Sequence, residues 1–266
     1  MIIFLILLLL VLSILMYLKA NKIMSGGSRI DRVVVINLDR DKQRYQNFQR
    51  QCEIAYIYFD RISAIDGRAL DLDSLQKKGL LELGSKSFFN HNKGGRDSLK
   101  GSIACALTHK QIWRDFSKHS EETCLIFEDD VVIPEDFWKT FNSISIPSNW
   151  DIIFLGGVRI YGRQVSKNLV KAVSTKDNHW NNCGLYAYLI NKRSVKKLLE
   201  IVDTVKTYID IQINRHYNNL NVYYIVPNIV KHDFSVKSSR STGSTQKKGY
   251  FYSKNFIDQS KKVTTV

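Results

Sequence analysis

The chain has 266 residues, 44% of them hydrophobic and 24% charged, with only three prolines, which excludes a disordered, collagen-like or disulfide-scaffold protein. Thirty-nine Lys and Arg against 25 Asp and Glu leave a formal charge of +14, and such an excess points to anionic partners: nucleic acid, acidic lipid or nucleotide phosphate. The length suits one large domain or two small ones with a buried core.

Ile2 to Leu18 is apolar throughout apart from Ser13. As a helix this run spans roughly 26 Å at 1.5 Å per residue, enough for a thin bilayer. No basic residue precedes it and no small-residue cleavage site follows it, so it reads as an uncleaved single-pass transmembrane anchor over 1–20 rather than a signal peptide. Residues 21–30 read as a linker around Met24-Ser-Gly-Gly-Ser28. Lys19, Lys22, Arg29 and Arg32 follow the span, and the positive-inside rule then puts the next domain on the cytoplasmic side; a secretory lumen is the alternative. The absence of any Asn-x-Ser/Thr sequon agrees with the cytoplasmic side. So do Cys52, Cys105, Cys124 and Cys183, whose dispersed positions read as buried thiols rather than a disulfide framework or metal site.

Arg32 to Asn37 is a short β-branched run, the signal of a buried strand. A helical pattern carrying Tyr45, Phe48 and Cys52 follows Asp39-Arg-Asp-Lys-Gln-Arg44. Tyr56 to Ala64 reads as a strand, Asp71 to Leu81 as a helix and Gly84 to Arg96 as a loop. Gly101 to Lys118 places Ile103, Ala106, Leu107, Ile112, Trp113 and Phe116 close to helical period. Strands are predicted at Thr123 to Phe127, Asp151 to Leu155, Leu185 to Ile190 and Val222 to Val226, and helices at Glu135 to Phe141, Ser194 to Val202 and Asp210 to Tyr217. Strands and helices alternate, and the strands are apolar on both faces. This predicts one α/β domain over 31–236 with a mostly parallel sheet flanked by helices, followed by a basic tail over 237–266. From Lys231 onward there are eight Lys/Arg against two Asp.

In such folds ligands bind beyond the carboxyl ends of the strands. Glu128-Asp129-Asp130 stands there, after Cys124 to Phe127. Side chains of an extended chain alternate, so Glu128 and Asp130 are expected on one face with Asp129 pointing away. Two carboxylates on one face suit Mn²⁺ or Mg²⁺, which can offset charge on a departing diphosphate. The alternative is a solvated acidic turn.

Four segments in order resemble glycosyltransferase family 25, the lipooligosaccharide and procollagen galactosyltransferase group. They are Val34-Val-Ile-Asn-Leu-Asp-Arg40 with Ser63-Ala-Ile-Asp-Gly67; Gly101-Ser-Ile-Ala-Cys-Ala-Leu-Thr-His109 with Trp113; Leu125-Ile-Phe-Glu-Asp-Asp-Val131 with Phe137; and Trp150-Asp-Ile-Ile-Phe-Leu-Gly156. Gly184 to Ile190 is similar to the family's Ala-Tyr strand. Ala104 and Thr108 depart from the family's Gly and Ser, and the segments Gly84 to Arg96 and Gly162 to Asn182 match nothing in it.

The resemblance implies a GT-A-like, Rossmann-type fold, a UDP-hexose donor (galactose or glucose) and inverting transfer to a glycan or to hydroxylysine of a collagen-like protein. Carried onto this chain, it implies Glu128 and Asp130 as metal ligands, joined by His232, with Asp129 beside them at the diphosphate. It implies Asn37, Asp39, Arg40 and Arg44 at the nucleotide base and ribose, and His109 at sugar or phosphate; the alternatives are a solvated helix start for Arg44, a core-facing helical histidine for His109 and a surface histidine beside Asp233 for His232. Asp210 is the expected catalytic base for the acceptor hydroxyl, with Asp151 and Asp177 as rivals; the alternative for Asp210 is a helix N-cap. The charge excess then calls for no nucleic acid, since a bilayer surface and a sugar diphosphate account for it. A metal-dependent nuclease would need a dispersed set of acids around two metals. A membrane-tethered, non-catalytic glycan-binding protein on the same fold is the other alternative, opposed by intact Glu128 and Asp130.

Overall fold

The structure, a computed structural model, describes residues 30–84, 95–174, 181–233, 235 and 239 and the backbone of 264–265. The expected anchor (1–20), nearly all of the linker, the loop core 85–94, Asp177 and most of the basic tail lie outside the described residues. Among the described residues no helix is long and apolar enough to cross a membrane.

The first β-α-β passage follows the sequence pattern. Strand β1 (Arg32–Asn37) leads to helix α1 (Lys42–Ile54) and returns to β2 (Asp60–Ser63). Helix α2 (Leu72–Lys77) starts at Asp71, whose carboxylate accepts the Asp73 and Ser74 N–H groups. Helix α3 (Gly95–Phe116) begins six residues earlier than the apolar period suggested, because its first turns are polar. Next come β3 (Thr123–Glu128), the two-residue β4 (Val131–Val132), α4 (Phe137–Asn142) and β5 (Ile152–Phe154). A hairpin that the sequence pattern did not suggest follows: β6 (Tyr161–Ser166) and β7 (Leu169–Ala172). Its first strand is mostly exposed and polar, which hides it from an apolar-run criterion. The chain continues through β8 (Ala187–Asn191), α5 (Lys192–Ile201), α6 (Ile209–Asn214), β9 (Val222–Ile225), β10 (Lys231–His232) and β11 (Thr264–Thr265).

Among the described residues, nine strands form one sheet in the order β11-β6-β7-β9-β5-β8-β3-β1-β2, and β10 pairs with β4 in a separate two-stranded ribbon. The expected mostly parallel sheet is corrected to a mixed one. Strands β2, β1 and β3 are mutually parallel, and so are β5 and β9, but β8 runs antiparallel between β3 and β5, and β7 antiparallel beside β9. Burial on both faces was read correctly. It does not encode direction, because an apolar strand presents the same two faces whichever way it runs.

Strict alternation divides the core between the two faces of the sheet. Val34, Ile36, Cys124, Ile126, Ile152, Phe154 and Tyr188 pack with α3, α5 and α6 through residues such as Trp113, Phe116, Leu198 and Ile213. Val33, Val35, Leu125, Phe127, Ile153 and Leu189 pack with α1 and α4 through Phe48, Cys52, Phe137 and Phe141. At about 25 cal/mol per Å² of buried apolar surface, these two layers dominate the stability of the domain.

Candidate active site

Because β1, β2, β3, β5 and β9 run the same way, their carboxyl ends share one edge of the sheet with the amino ends of β7 and β8. Asn37 closes β1 and Glu128 closes β3 there. Beyond Glu128 the chain bends, so the alternation rule lapses at Asp129 and Asp130. The expected pairing of Glu128 with Asp130 and the outward Asp129 are therefore corrected. One terminal nitrogen of Arg44, Nη2, sits 2.5 Å from Asp129 Oδ1 and 2.6 Å from Asp130 Oδ2, with all three side chains at most 14% exposed. Asp129 Oδ2 also accepts the Asn37 amide at 2.5 Å.

Burial pushes the Asp129 carboxyl up to about 7; the pull of Arg44 and Asn37 is outweighed, and the charges of Asp130 and Glu128 add to the push. Asp129 and Asp130 share one guanidinium at this turn.

The structure places the expected nucleotide-facing residues in a web of internal contacts. Asn37 is buried. It also donates to Asp41 O at 3.1 Å and accepts Arg61 Nε at 3.0 Å, which joins it to the acidic turn. Asp39 accepts Arg61 Nη2 at 2.6 Å and Ser63 Oγ at 2.8 Å, and these bonds hold its carboxyl below the usual carboxylate range. Arg40 is ion-paired with Asp66 and donates to the Ser239 carbonyl at 3.2 Å. Ser239 Oγ accepts from Arg44 and donates to Asp41. Ser239 thus lies against the β1–α1 turn. Arg61 and Asp41 were given no role from the sequence, where nothing distinguishes them from solvated charges, and Asp66 stood in the Ser63 to Gly67 motif without an assigned role.

Glu128 turns the other way, toward α3. His109 is fully buried; its Nε2 lies 3.4 Å from Glu128 Oε1 and its Nδ1 lies 2.8 Å from Tyr188 Oη. The Trp113 indole N–H donates to the same Tyr188 oxygen at 3.0 Å. An indole only donates and a carboxylate only accepts, so in the neutral ring the network assigns the proton to Nε2, with Tyr188 O–H donating to Nδ1. Cys105 Sγ lies 3.8 Å from Glu128 Oε1.

His232 arrives from the far end of the chain by pairing. The β10–β4 ribbon sets His232 opposite Val131, and Asp233 N–H donates to Asp130 O at 2.7 Å. This puts His232 Nε2 3.4 Å from Asp130 Oδ2, with the Tyr186 ring edge-on to the imidazole. The three expected metal ligands therefore form two groups: Asp130 with His232, and Glu128 with Cys105 and His109.

Asp210 lies in the first turn of α6, whose N-cap is Tyr208, so the capping alternative does not hold. Its Oδ2 accepts the Gly184 N–H at 3.1 Å and its Oδ1 the Ile211 N–H at 2.9 Å. Gly184 precedes β8, so Asp210 stands at the same sheet edge as Glu128. The rival Asp151 precedes β5 at the opposite edge and binds Asn221 N–H at 2.8 Å.

The motif residues also have structural work. The Thr108 hydroxyl accepts Ile65 N–H at 3.0 Å and donates to Ala104 O at 2.8 Å, tying the Ala64-Ile-Asp-Gly67 segment to α3. A Ser hydroxyl could make the same two bonds, so Thr108 keeps this junction where a Ser would stand. A Cβ on Gly67 would come within 2.8 Å of the Lys100 and Gly101 backbone, and one on Gly156 would collide with Val230 O and Tyr186.

The family model described as Glycosyltransferase family 25 (LPS biosynthesis protein) matches residues 30–213. The chain belongs to glycosyltransferase family 25. Relatives in the family include procollagen galactosyltransferase 1 of Danio rerio, 26% identical over 196 residues, covering 70% of this chain and 32% of that one. Procollagen galactosyltransferase 2 of Homo sapiens is 25% identical over 177 residues, covering 64% and 27%. A Rattus norvegicus protein named probable inactive glycosyltransferase 25 family member 3 is 25% identical over 201 residues, covering 71% and 34%. The chain spans about a third of the length of these relatives. Among solved structures, a glycosyltransferase involved in glycosylation of the major capsid of PBCV-1 aligns at TM-score 0.34 and 10% identity, covering 65% of this chain and 64% of that one.

Proposed function

We propose that this family 25 chain transfers a hexose, galactose before glucose, from a UDP-sugar to a glycan or protein hydroxyl, with inversion, on a GT-A-like domain. The observation that carries the reading is the Glu128-Asp129-Asp130 turn, set at the carboxyl edge of the sheet beside His232 and on the same edge as Asp210. An imidazole and a carboxylate 3.4 Å apart are donors of the kind Mn²⁺ or Mg²⁺ accepts, so Asp130 and His232 would hold the cation. When bound, such a cation supplies positive charge to a leaving diphosphate. Arg44 and Asn37 fix the turn that presents Asp130. Asp210 is the carboxylate offered for the proton of the attacking hydroxyl. The apolar run Ile2 to Leu18 supports tethering of the domain to a membrane.

The test is UDP release by the full chain from a panel of UDP-sugars with Mn²⁺. Release from UDP-galactose, lost on chelation and reduced by about 10² or more in Asp130→Asn, is the expected outcome. Glycan binding without UDP release would favour the non-catalytic reading, and cleavage of DNA or RNA would overturn both.

A further inference from the structure

Cys105, His109 and Glu128 are left over from the Asp130–His232 pair, and they converge. Cys105 and His109 stand four residues apart on one face of α3, against the end of β3. One ligand atom from each of the three lies within 4.8 Å of the others. We propose that these side chains form a Zn²⁺ site, distinct from the pair that would hold the cation of a sugar diphosphate. The proposal does not rest on the transferase reading.

Two of the three ligand-to-ligand edges can be compared with the metal's geometry. With Zn–S of about 2.3 Å and Zn–N and Zn–O of about 2.0–2.1 Å, a tetrahedron has S···O edges of about 3.6 Å and N···O edges of about 3.3 Å. The observed separations are 3.8 Å from Cys105 Sγ and 3.4 Å from His109 Nε2 to the same Glu128 oxygen. A thiolate in the set selects a borderline-soft ion over Mg²⁺ or Mn²⁺.

The outer shell is also in place. A ligating histidine has its second nitrogen held by a partner, and Tyr188, itself fixed by Trp113, holds His109 Nδ1. On binding, the ring proton moves from Nε2 to Nδ1 and donates to Tyr188 Oη, while the Cys105 thiol proton leaves to solvent. His109 is fully buried, but Glu128 keeps 27% of its side-chain surface and Cys105 is only partly buried, which opens an entry path and a fourth position for water.

Co²⁺, a spectroscopic stand-in for Zn²⁺, provides the test. Titrated into the reduced, metal-free full chain, it should raise a thiolate-to-cobalt band that saturates at one equivalent and disappears when Zn²⁺ is added. Cys105→Ser should abolish the band, and Asp130→Asn should leave it. A second readout uses the unmutated chain: at free Zn²⁺ about ten times its dissociation constant, alkylation of Cys105 should slow about tenfold, while Mn²⁺ at the same concentration should not slow it. No band, a band that survives Cys105→Ser, a band lost in Asp130→Asn, or alkylation of Cys105 unchanged by Zn²⁺ would each overturn the proposal.

Discussion

Arg44 shows how much one side chain can organise at this site. Its guanidinium faces Asp129 and Asp130 in a setting where all three are largely withdrawn from water. Removing one partner of such a group leaves uncompensated buried charge. Arg44→Ala is therefore expected to cost about 3–5 kcal/mol, read as a lower urea midpoint at neutral pH, and a second change, Asp129→Asn, should restore part of it. An unchanged midpoint in Arg44→Ala would refute this. Asp66 offers a test in pH. Its bonds to Arg68 and Arg40 hold the carboxyl well below its ordinary value of 3.8. A depressed carboxylate contributes stability that is present above the unfolded value and lost as pH falls toward the folded one. Asp66→Asn should therefore be less stable than the unmutated chain at neutral pH, with the gap closing as pH drops below about 3.8. A gap that stays constant down to acid pH would show that the lost contacts are not electrostatic.

At the scale of elements, a close backbone approach joins the Asp66-Gly67 turn to α3. Nothing larger than hydrogen fits at Gly67 without moving the backbone of Lys100 and Gly101. Gly67→Ala should destabilise by about 1–3 kcal/mol in thermal or denaturant unfolding, through displaced backbone rather than a lost contact. The same junction explains why Ser63 to Gly67 and Gly101 to His109 stood out in the sequence: Thr108 bonds Ile65 across it. Short continuous apolar runs made β1, β3, β5, β8 and β9 legible, since strands buried on both faces need apolar side chains at successive positions. The β6–β7 hairpin and the β4–β10 ribbon were not legible. The first has an exposed strand, and each strand of the second is two residues long, too short for any period.

Over the whole molecule, the core is built around thiols as well as hydrocarbons. Burial pushes Cys52 and Cys124 up to about 12, and neither is in a disulfide. Since the thiolate is the reactive form, both should resist alkylation at about pH 8 in the folded chain and react once it is unfolded, as read by mass spectrometry. Rapid native labelling of either would mean that the core opens. The reading of all four cysteines as buried thiols came from their dispersed positions, and it holds for Cys52 and Cys124, while Cys105 and Cys183 are only partly buried. That of Cys105 did not extend to its neighbours His109 and Glu128, because the latter lies on another element.

By itself the sequence determined the alternation of strands and helices, the two-faced core, and the placement of Glu128-Asp129-Asp130 at the end of a strand. These follow from short-range periodicity and from motif order. Only the tertiary structure decided the directions of β8 and β7, the turning of Glu128 away from Asp130, and the arrival of His232 beside Asp130 through β10. Each of these depends on a partner far along the chain. Side-chain pattern specifies which faces are buried; it does not specify which distant segment covers them or which carboxylate a distant arginine will claim.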